Sequence, residues 1–160
     1  MSKSIVDAPP GKLLRFGLRL PIWLYRAHLG WLLGDRFLLL THIGRKSGVP
    51  HETVVEVVQY DKDTDTYYVV SGWGKYSDWY QNIRNHPSVT IHVGGRMFPS
   101  EAMFIPVDKA VPILETYQRD HPIAFKELSG LFLGAGAQDA SRAPQFIAEK
   151  MPMVAFRPEK

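Results

Sequence analysis

Residues 53–71, with the sequence TVVEVVQYDKDTDTYYVVS, predict a β-hairpin. Valines and tyrosines make up most of 53–60 and 66–71. The polar run 61–65 between them has the composition of a turn. Outward from this hairpin, residues 37–43 and 153–156 predict two more strands. A second hairpin is predicted over 89–93 and 96–105, around Gly94-Gly95. We therefore expect an α+β fold, a small closed or split β-barrel of about six mainly antiparallel strands with flanking helices.

Helices are predicted on either side of these hairpins. Residues 78–85 predict a short helix with Ser77 as its cap, and Asp108 is expected to cap a helix that ends near residue 119. Residues 123–128 predict a further helix, and the Gly- and Ala-rich residues 131–144 predict a mobile segment. We expect a single domain over residues 1–160, in which 1–33 are a leader and amphipathic helices and 34–160 are the barrel with its C-terminal helices.

The composition excludes several classes of function. The chain of 160 residues has no cysteine, which excludes thiolate metal sites, iron–sulfur clusters and cysteine nucleophiles. Its net charge of +3 favours anionic partners but is too small to indicate nucleic acid, which we do not expect as a partner. The six histidines lack metal-site spacing, and no GxSxG motif occurs. We expect no metal site and neither acyl transfer nor glycoside hydrolysis.

The segment 12–33 is very apolar with a narrow cationic stripe. On a helical projection its four cations fall within an arc of about 60°. They are Lys12, Arg15, Arg19 and Arg26. Such a helix can lie in a membrane interface, or it can pack on the barrel or on a second copy of the chain. Because no signal peptide or apolar run of transmembrane length is recognised, we expect a cytoplasmic protein, peripheral on the inner face of the cell membrane if the first alternative holds.

The loop 44–48, with the sequence GRKSG, follows the predicted strand 37–43. Its two glycines allow a close approach of the backbone to a ligand, and successive loop N–H groups can form a nest for an anion. Arg45 and Lys46 add positive charge, and Ser47 adds a hydroxyl group. The pattern fits a phosphate-binding loop and fits equally a plain basic turn between two strands.

A second glycine loop, 71–80 with the sequence SGWGKYSDWY, follows the predicted strand 66–71. Such a loop can lie against a planar ring while Lys75 contacts an anionic group. Trp79 and Asn82 belong to the predicted helix that follows. Alternatively, Trp79 and Ile83 form the buried stripe of that helix, because residues four apart share one helix face.

Three runs, in this order, resemble the family of deazaflavin-dependent nitroreductases and quinone reductases. They are LLLTHIGRKSG (38–48), VSGWG (70–74) and DWYQNIRNHP (78–87). The resemblance covers roughly residues 21–105. Members of this family are split β-barrel proteins that use coenzyme F-420. The resemblance therefore implies an F-420-dependent oxidoreductase on this fold.

The resemblance also implies a role for each matching residue. The phosphodiester and the start of the polyglutamate tail of the cofactor are expected to contact Gly44, Arg45, Lys46, Ser47 and Gly48. The deazaflavin ring is expected to contact Ser71, Gly72, Trp73 and Gly74. Lys75 would bind the acidic tail, and Trp79 and Asn82 would brace the cofactor. His51 stands near the position where relatives often carry a second cation; either the affinity for the phosphate is lower in this chain, or His51 serves when charged.

The region after the late helix bears on the substrate. Nitroreductase members place several tyrosines there, whereas this chain has only Tyr117, which argues against nitroimidazole reduction. The apolar residues nearby favour a quinone or an unsaturated lipid as hydride acceptor. They are Ile123, Ala124, Phe125, Leu131, Phe132 and Leu133. The proton for the acceptor would come from Tyr76, His121 or solvent.

Two other functions fit the same barrel. An FMN-dependent reductase would need Lys75 and Arg45 less, because FMN lacks the polyglutamate tail. A non-catalytic carrier would bind a cofactor or a lipid without turnover. Because split barrels with exposed edges often pair, we also expect a homodimer.

Overall fold

The computed structural model describes residues 35–72, 74–133 and 141–159. In this part of the chain the strands are β1 (Phe37–Ile43), β2 (Pro50–Asp61), β3 (Thr66–Val70), β4 (Ser88–Val93), β5 (Arg96–Ile105) and β6 (Met153–Pro158). The helices are α1 (Asp78–Asn85), α2 (Val107–Asp120), α3 (Pro122–Leu133) and α4 (Ala143–Lys150). The six strands close into a barrel in the order β1-β2-β3-β6-β5-β4, and every neighbouring pair is antiparallel. The predicted α+β split barrel is confirmed.

Several predicted boundaries were wrong. The strand β2 begins at Pro50, three residues before the predicted start. Asp108 does not cap α2, because Pro106 is the N-cap residue and Asp108 lies in the first turn. Ser77 does occupy the N-cap position of α1, but its side chain makes no capping hydrogen bond. The segment 131–144 is helical at both of its ends, where α3 finishes and α4 begins.

The predicted amphipathic helices and the membrane-facing stripe of residues 12–33 lie outside the described residues. Among the helices that the structure does describe, none is both long enough and apolar enough to cross a membrane.

Antiparallel pairing decides which loops lie together. The strands β1, β3 and β5 end, and β2, β4 and β6 begin, at the same end of the barrel. This end, called the loop end below, carries the 44–49 loop, the described residues 71–72 and 74–87, and the start of α2. The opposite end, called the turn end, carries the β2–β3 and β4–β5 turns. The two glycine-containing loops are therefore neighbours in space.

The alternation of side chains along the strands separates two cores. Tyr67 and Val69 point into the barrel core, whereas Tyr68 and Val70 belong to an outer core beneath the helices. The helix α1 contributes buried residues to the barrel core, and α2, α3 and α4 pack on the outer core. The residues of α1 in the barrel core are Trp79, Tyr80 and Ile83. Thus α1 is anchored by its apolar face directly beside the 44–49 loop.

Candidate functional site

The GRKSG loop is a closed turn that depends on both of its glycines. The N–H of Gly44 donates to the carbonyl of Val49 at 2.9 Å, and the N–H of Gly48 donates to the carbonyl of Gly44 at 2.9 Å. A Cβ on Gly44 would lie 2.8 Å from His51 Nε2 and closer still to Ser47 Oγ. Gly48 has a φ of +70°, which a side chain rarely adopts. The loop is therefore held in one conformation by its own backbone.

Arg45 is tied to the neighbouring helix. Its backbone N–H and its Nη1 both donate to Asn82 Oδ1, at 3.0 and 2.8 Å. Its Nη2 lies 3.5 Å from Asp78 Oδ1, one helical turn earlier on α1. Much of this guanidinium is therefore engaged within the protein. The adjacent Lys46 is exposed.

Asn82 also reaches a histidine of β1. The backbone N–H and the Nη1 of Arg45 can only donate hydrogen bonds, so the Asn82 atom that faces them must be Oδ1. The Nδ2 of Asn82 then faces His42 Nδ1 at 3.0 Å. His42 Nδ1 must accept this hydrogen bond, so it is unprotonated. His42 is 4% exposed, and burial together with the nearby His51 lowers the pKa of His42 to about 4. The imidazole is therefore neutral at physiological pH.

His51 lies between this buried network and the exposed surface of the loop. Its ring stacks on that of His42, with centroids 5.9 Å apart, and its Nε2 is 3.3 Å from Ser47 Oγ. His51 is exposed, as are Ser47 and Lys46. The loop thus presents a lysine, a hydroxyl group and an imidazole to the outside, on a base fixed by Arg45 and Asn82.

The second loop is also fixed from within. Ser71 is fully buried, and its hydroxyl donates to the carbonyl of Gly74 at 2.7 Å. The N–H of Ser71 donates to the carbonyl of Pro152 at 2.9 Å, and Gly74 has a φ of +62°. Lys75 is exposed, and Gln81 donates to its carbonyl at 3.1 Å. The predicted ring-binding residue Trp73 lies outside the described residues.

The described residues that the sequence predicted as cofactor ligands all lie at the loop end of the barrel. They differ in how deeply they are buried. Trp79 is 7% exposed and packs in the barrel core with Ile83, as a buried helix stripe would. Gly72 is half-buried and Gly74 is buried. The exposed donor set consists of Lys46, Ser47, His51 and Lys75. Two lysines, a hydroxyl group and an imidazole suit a phosphodiester with an acidic tail, so the residues present fit such a cofactor.

The proton-donor candidates differ in their surroundings. A cavity of about 630 Å³ opens on the outer face of the barrel between β2, α2 and α3, and His121 lines it. Tyr76, in contrast, is 60% exposed in the second glycine loop and is not among the described residues that line the cavity. The other lining residues are Asp35, Arg36, Val57, Val58, Gln59, Tyr60, Tyr117, Asp120, Pro122, Ile123, Ala124 and Glu127.

A polar cluster that sequence reasoning missed contributes Arg36, Tyr117 and Glu127 to the wall of this cavity. The hydroxyl of Tyr117 donates to the carboxylate of Glu56, which lies 3.6 Å from Arg36 Nε. Arg36 also lies 3.8 Å from Glu127. Burial and the bond to Glu56 raise the pKa of Tyr117, so its hydroxyl stays protonated. Tyr117 thus links α2 to β2. The sequence gives no local signal for the pair, because 61 positions separate the two residues.

We expect Tyr117→Phe to lower the free energy of unfolding by about 1–3 kcal/mol, because it leaves a partly buried carboxylate without its hydroxyl donor. Urea unfolding measures the change. Tyr60→Phe is the matched control, since it removes a hydroxyl that donates to Asp65 on the exposed surface. An equal loss in both variants would contradict the buried role of the Tyr117 bond.

The chain is a split β-barrel protein, with six antiparallel strands and with exposed lysines at the loop end. Residues 18–127 match the family of F-420H2-dependent quinone reductases. Because this match spans more than half of the chain, the protein belongs to that family. No curated protein matches the sequence significantly.

Solved structures share the barrel at low sequence identity. HutZ, described as a heme storage protein from Vibrio cholerae, is 14% identical, with a TM-score of 0.52 over 86% of this chain and 91% of its own. A chain described as a domain-swapped dimer is 17% identical, with a TM-score of 0.51 over 86% and 99%. The protein Atu2129 of Agrobacterium tumefaciens, of unknown function, is 14% identical, with a TM-score of 0.55 over 89% and 56%. These likenesses show the fold alone.

Proposed function

We propose that this protein is an F-420-dependent reductase that transfers a hydride to an apolar acceptor, such as a quinone or an unsaturated lipid. Its membership of the F-420H2-dependent quinone reductase family supports the proposal. The observation that carries it is the exposed Lys46 on a loop held rigid by Arg45 and Asn82, with Lys75 at the same end of the barrel. When bound, the reduced deazaflavin supplies the hydride.

The residues of the GRKSG loop would bind the anionic part of the cofactor. Lys46 supplies the charge, and Ser47 and His51 supply further polar contacts beside it. Lys75 would bind the acidic tail. Because Arg45 is already hydrogen-bonded to α1, its contribution to the cofactor is secondary to that of Lys46.

The second loop would orient the ring. Its residues Ser71, Gly72, Trp73 and Gly74 follow β3 directly. The internal bonds of Ser71 and Gly74 support this role, because a loop fixed before binding holds a planar ring without a further ordering cost. Trp79 would act from the barrel core, as a support for this loop.

The cavity beside β2 is the proposed site of the acceptor. Val57, which lines the cavity, pairs with Val69 of β3, two residues before Ser71. The lining residues Asp35, Arg36 and Tyr60 lie towards the turn end, so only the side of the cavity formed by Val57 approaches the ring-binding loop. The volume of about 630 Å³ is in the usual range for small-molecule sites, and Ile123 and Ala124 give the lining an apolar part. His121 is the favoured proton donor, because it lines the cavity.

A fluorescence titration of the purified protein with F-420, with FMN run in parallel, tests the cofactor. We expect micromolar or tighter binding of F-420 and weaker binding of FMN. Preference for FMN would assign the protein to a flavin-dependent reductase on the same fold. Binding of neither would favour the carrier. If F-420 binds, turnover with a soluble quinone separates a catalyst from a carrier.

The homodimer and the single domain over residues 1–160 stay predictions. The solved barrel that is described as a domain-swapped dimer documents the association of that protein.

A further inference from the structure

The hydrogen-bonding capacity of Asn82 is almost entirely used inside the protein. Its Oδ1 accepts two hydrogen bonds from Arg45, at 3.0 and 2.8 Å, and its Nδ2 donates one to His42 at 3.0 Å. An amide side chain has two acceptor sites and two donor hydrogens, so one donor hydrogen remains. Asn82 is also 4% exposed. Such a side chain has little left to offer a cofactor directly.

The partners of Asn82 belong to three different elements. Asn82 lies on α1, Arg45 in the GRKSG loop and His42 on β1, and the pairs are 37 and 40 positions apart in the chain. Asp78 approaches the same guanidinium from α1 at 3.5 Å. The loop is therefore attached to α1 through Arg45, while α1 is anchored in the barrel core by Ile83.

We infer that Asn82 is a positioning residue, which fixes the GRKSG loop on α1 through Arg45 and thereby holds Lys46 in place for the anionic part of the cofactor. This inference rests on the proposed function for the identity of the ligand. It replaces the expected direct contact between Asn82 and the cofactor with an indirect action through the loop. Arg45 then supports the loop, and Lys46 is the cation that contacts the ligand.

Two measurements on the purified protein test the inference, and the first needs no cofactor. Amide hydrogen exchange by NMR reports the protection of the Arg45 N–H. In Asn82→Ala we expect this exchange to accelerate about tenfold, since a net hydrogen bond of ordinary strength is lost. Asn82→Asp keeps an oxygen acceptor for both Arg45 donors, so we expect it to retain the protection within about twofold.

The second measurement is F-420 titration of single and double variants. We expect Asn82→Ala to raise the dissociation constant about tenfold in the wild-type background, and less than about twofold when Lys46→Ala is already present. Positioning through Lys46 requires this non-additivity, whereas a direct contact would give additive losses. Asn85→Ala is the matched control on the same helix, since the exposed Asn85 donates to the carbonyl of Gln81 within α1. We expect no change from it in either measurement.

Each result has one meaning. Unchanged Arg45 exchange in Asn82→Ala, or additive losses of affinity, would overturn the positioning role. A wild-type protein that does not bind F-420 would instead overturn the proposed function, and that result is seen before any variant is made. If Asn82→Ala fails to fold, the nearly isosteric Asn82→Leu, which also lacks an acceptor, takes its place: faster Arg45 exchange supports the role, and unchanged exchange overturns it.

Discussion

Replacing Lys46 with alanine is expected to weaken F-420 binding by roughly 10- to 100-fold. A charge-assisted hydrogen bond to a phosphate or carboxylate contributes about 1.5–3 kcal/mol. Lys46 is exposed, and its neighbour Arg45 is committed to Asn82 and Asp78, so no other cation of the loop is free to replace it. Fluorescence titration at low and moderate salt measures the loss. We also expect the salt dependence of binding to decrease in the variant.

Lys62→Ala is the matched control for Lys46→Ala. Lys62 is an exposed lysine in the β2–β3 turn, at the turn end of the barrel, and its removal changes the net charge by the same amount. We expect less than a twofold effect on F-420 binding. Equal losses in both variants would mean that the cofactor responds to the overall charge of the protein rather than to a site at the GRKSG loop.

The strands could be predicted because their signals are local. The valines of β2 and β3 flank a polar turn, and Gly94-Gly95 provides the two positive φ angles of a tight hairpin. The positions of the two glycine loops follow from these strands, because antiparallel pairing places alternate connections at one end. A single sequence was therefore sufficient for the architecture.

The helix boundaries needed information that the sequence does not carry locally. At the start of α2, an extended Pro106 (φ −65°, ψ 154°) takes the N-cap position, although Asp108 is the better capping residue by type. The connection after β5 decides this position. In α3 the helix continues through Ser129 to Leu133. Packing of Leu128 in the outer core offsets the low helix propensity of Gly130.

The chemistry inside the candidate site depends on tertiary contacts. The motif pointed to Arg45 as a phosphate ligand, but its actual partners come from α1. The place of His42 in the buried network could be inferred only from the strand register. The register pairs His42 with His51 and points it inward, like Leu38 and Leu40. The bond between Glu56 and Tyr117 likewise appears only once α2 is packed on β2.

His42 should make the protein less stable as the pH falls from about 6.5 to about 4. Its pKa is about 4 in the folded protein against 6.5 for an ordinary histidine, because burial and the nearby His51 oppose its charge and Asp78 only partly compensates. In this pH window the unfolded chain binds a proton that the folded protein does not, so acid favours unfolding. The stabilisation by neutral His42 is complete above pH 6.5 and is lost towards pH 4, with an upper limit of about 3 kcal/mol.

The pH dependence of urea unfolding for the wild type and for His42→Gln measures this contribution. The quantity to compare is how steeply the free energy of unfolding changes with pH in each protein. The carboxylates add the same acid sensitivity to both proteins, so their contribution cancels in the difference. We expect the variant to be less stable at pH 7 but to lose less stability between pH 6.5 and 4. His86→Gln, which removes an exposed histidine after α1, should keep the wild-type slope. A wild-type slope in His42→Gln would mean that His42 is not the titrating group.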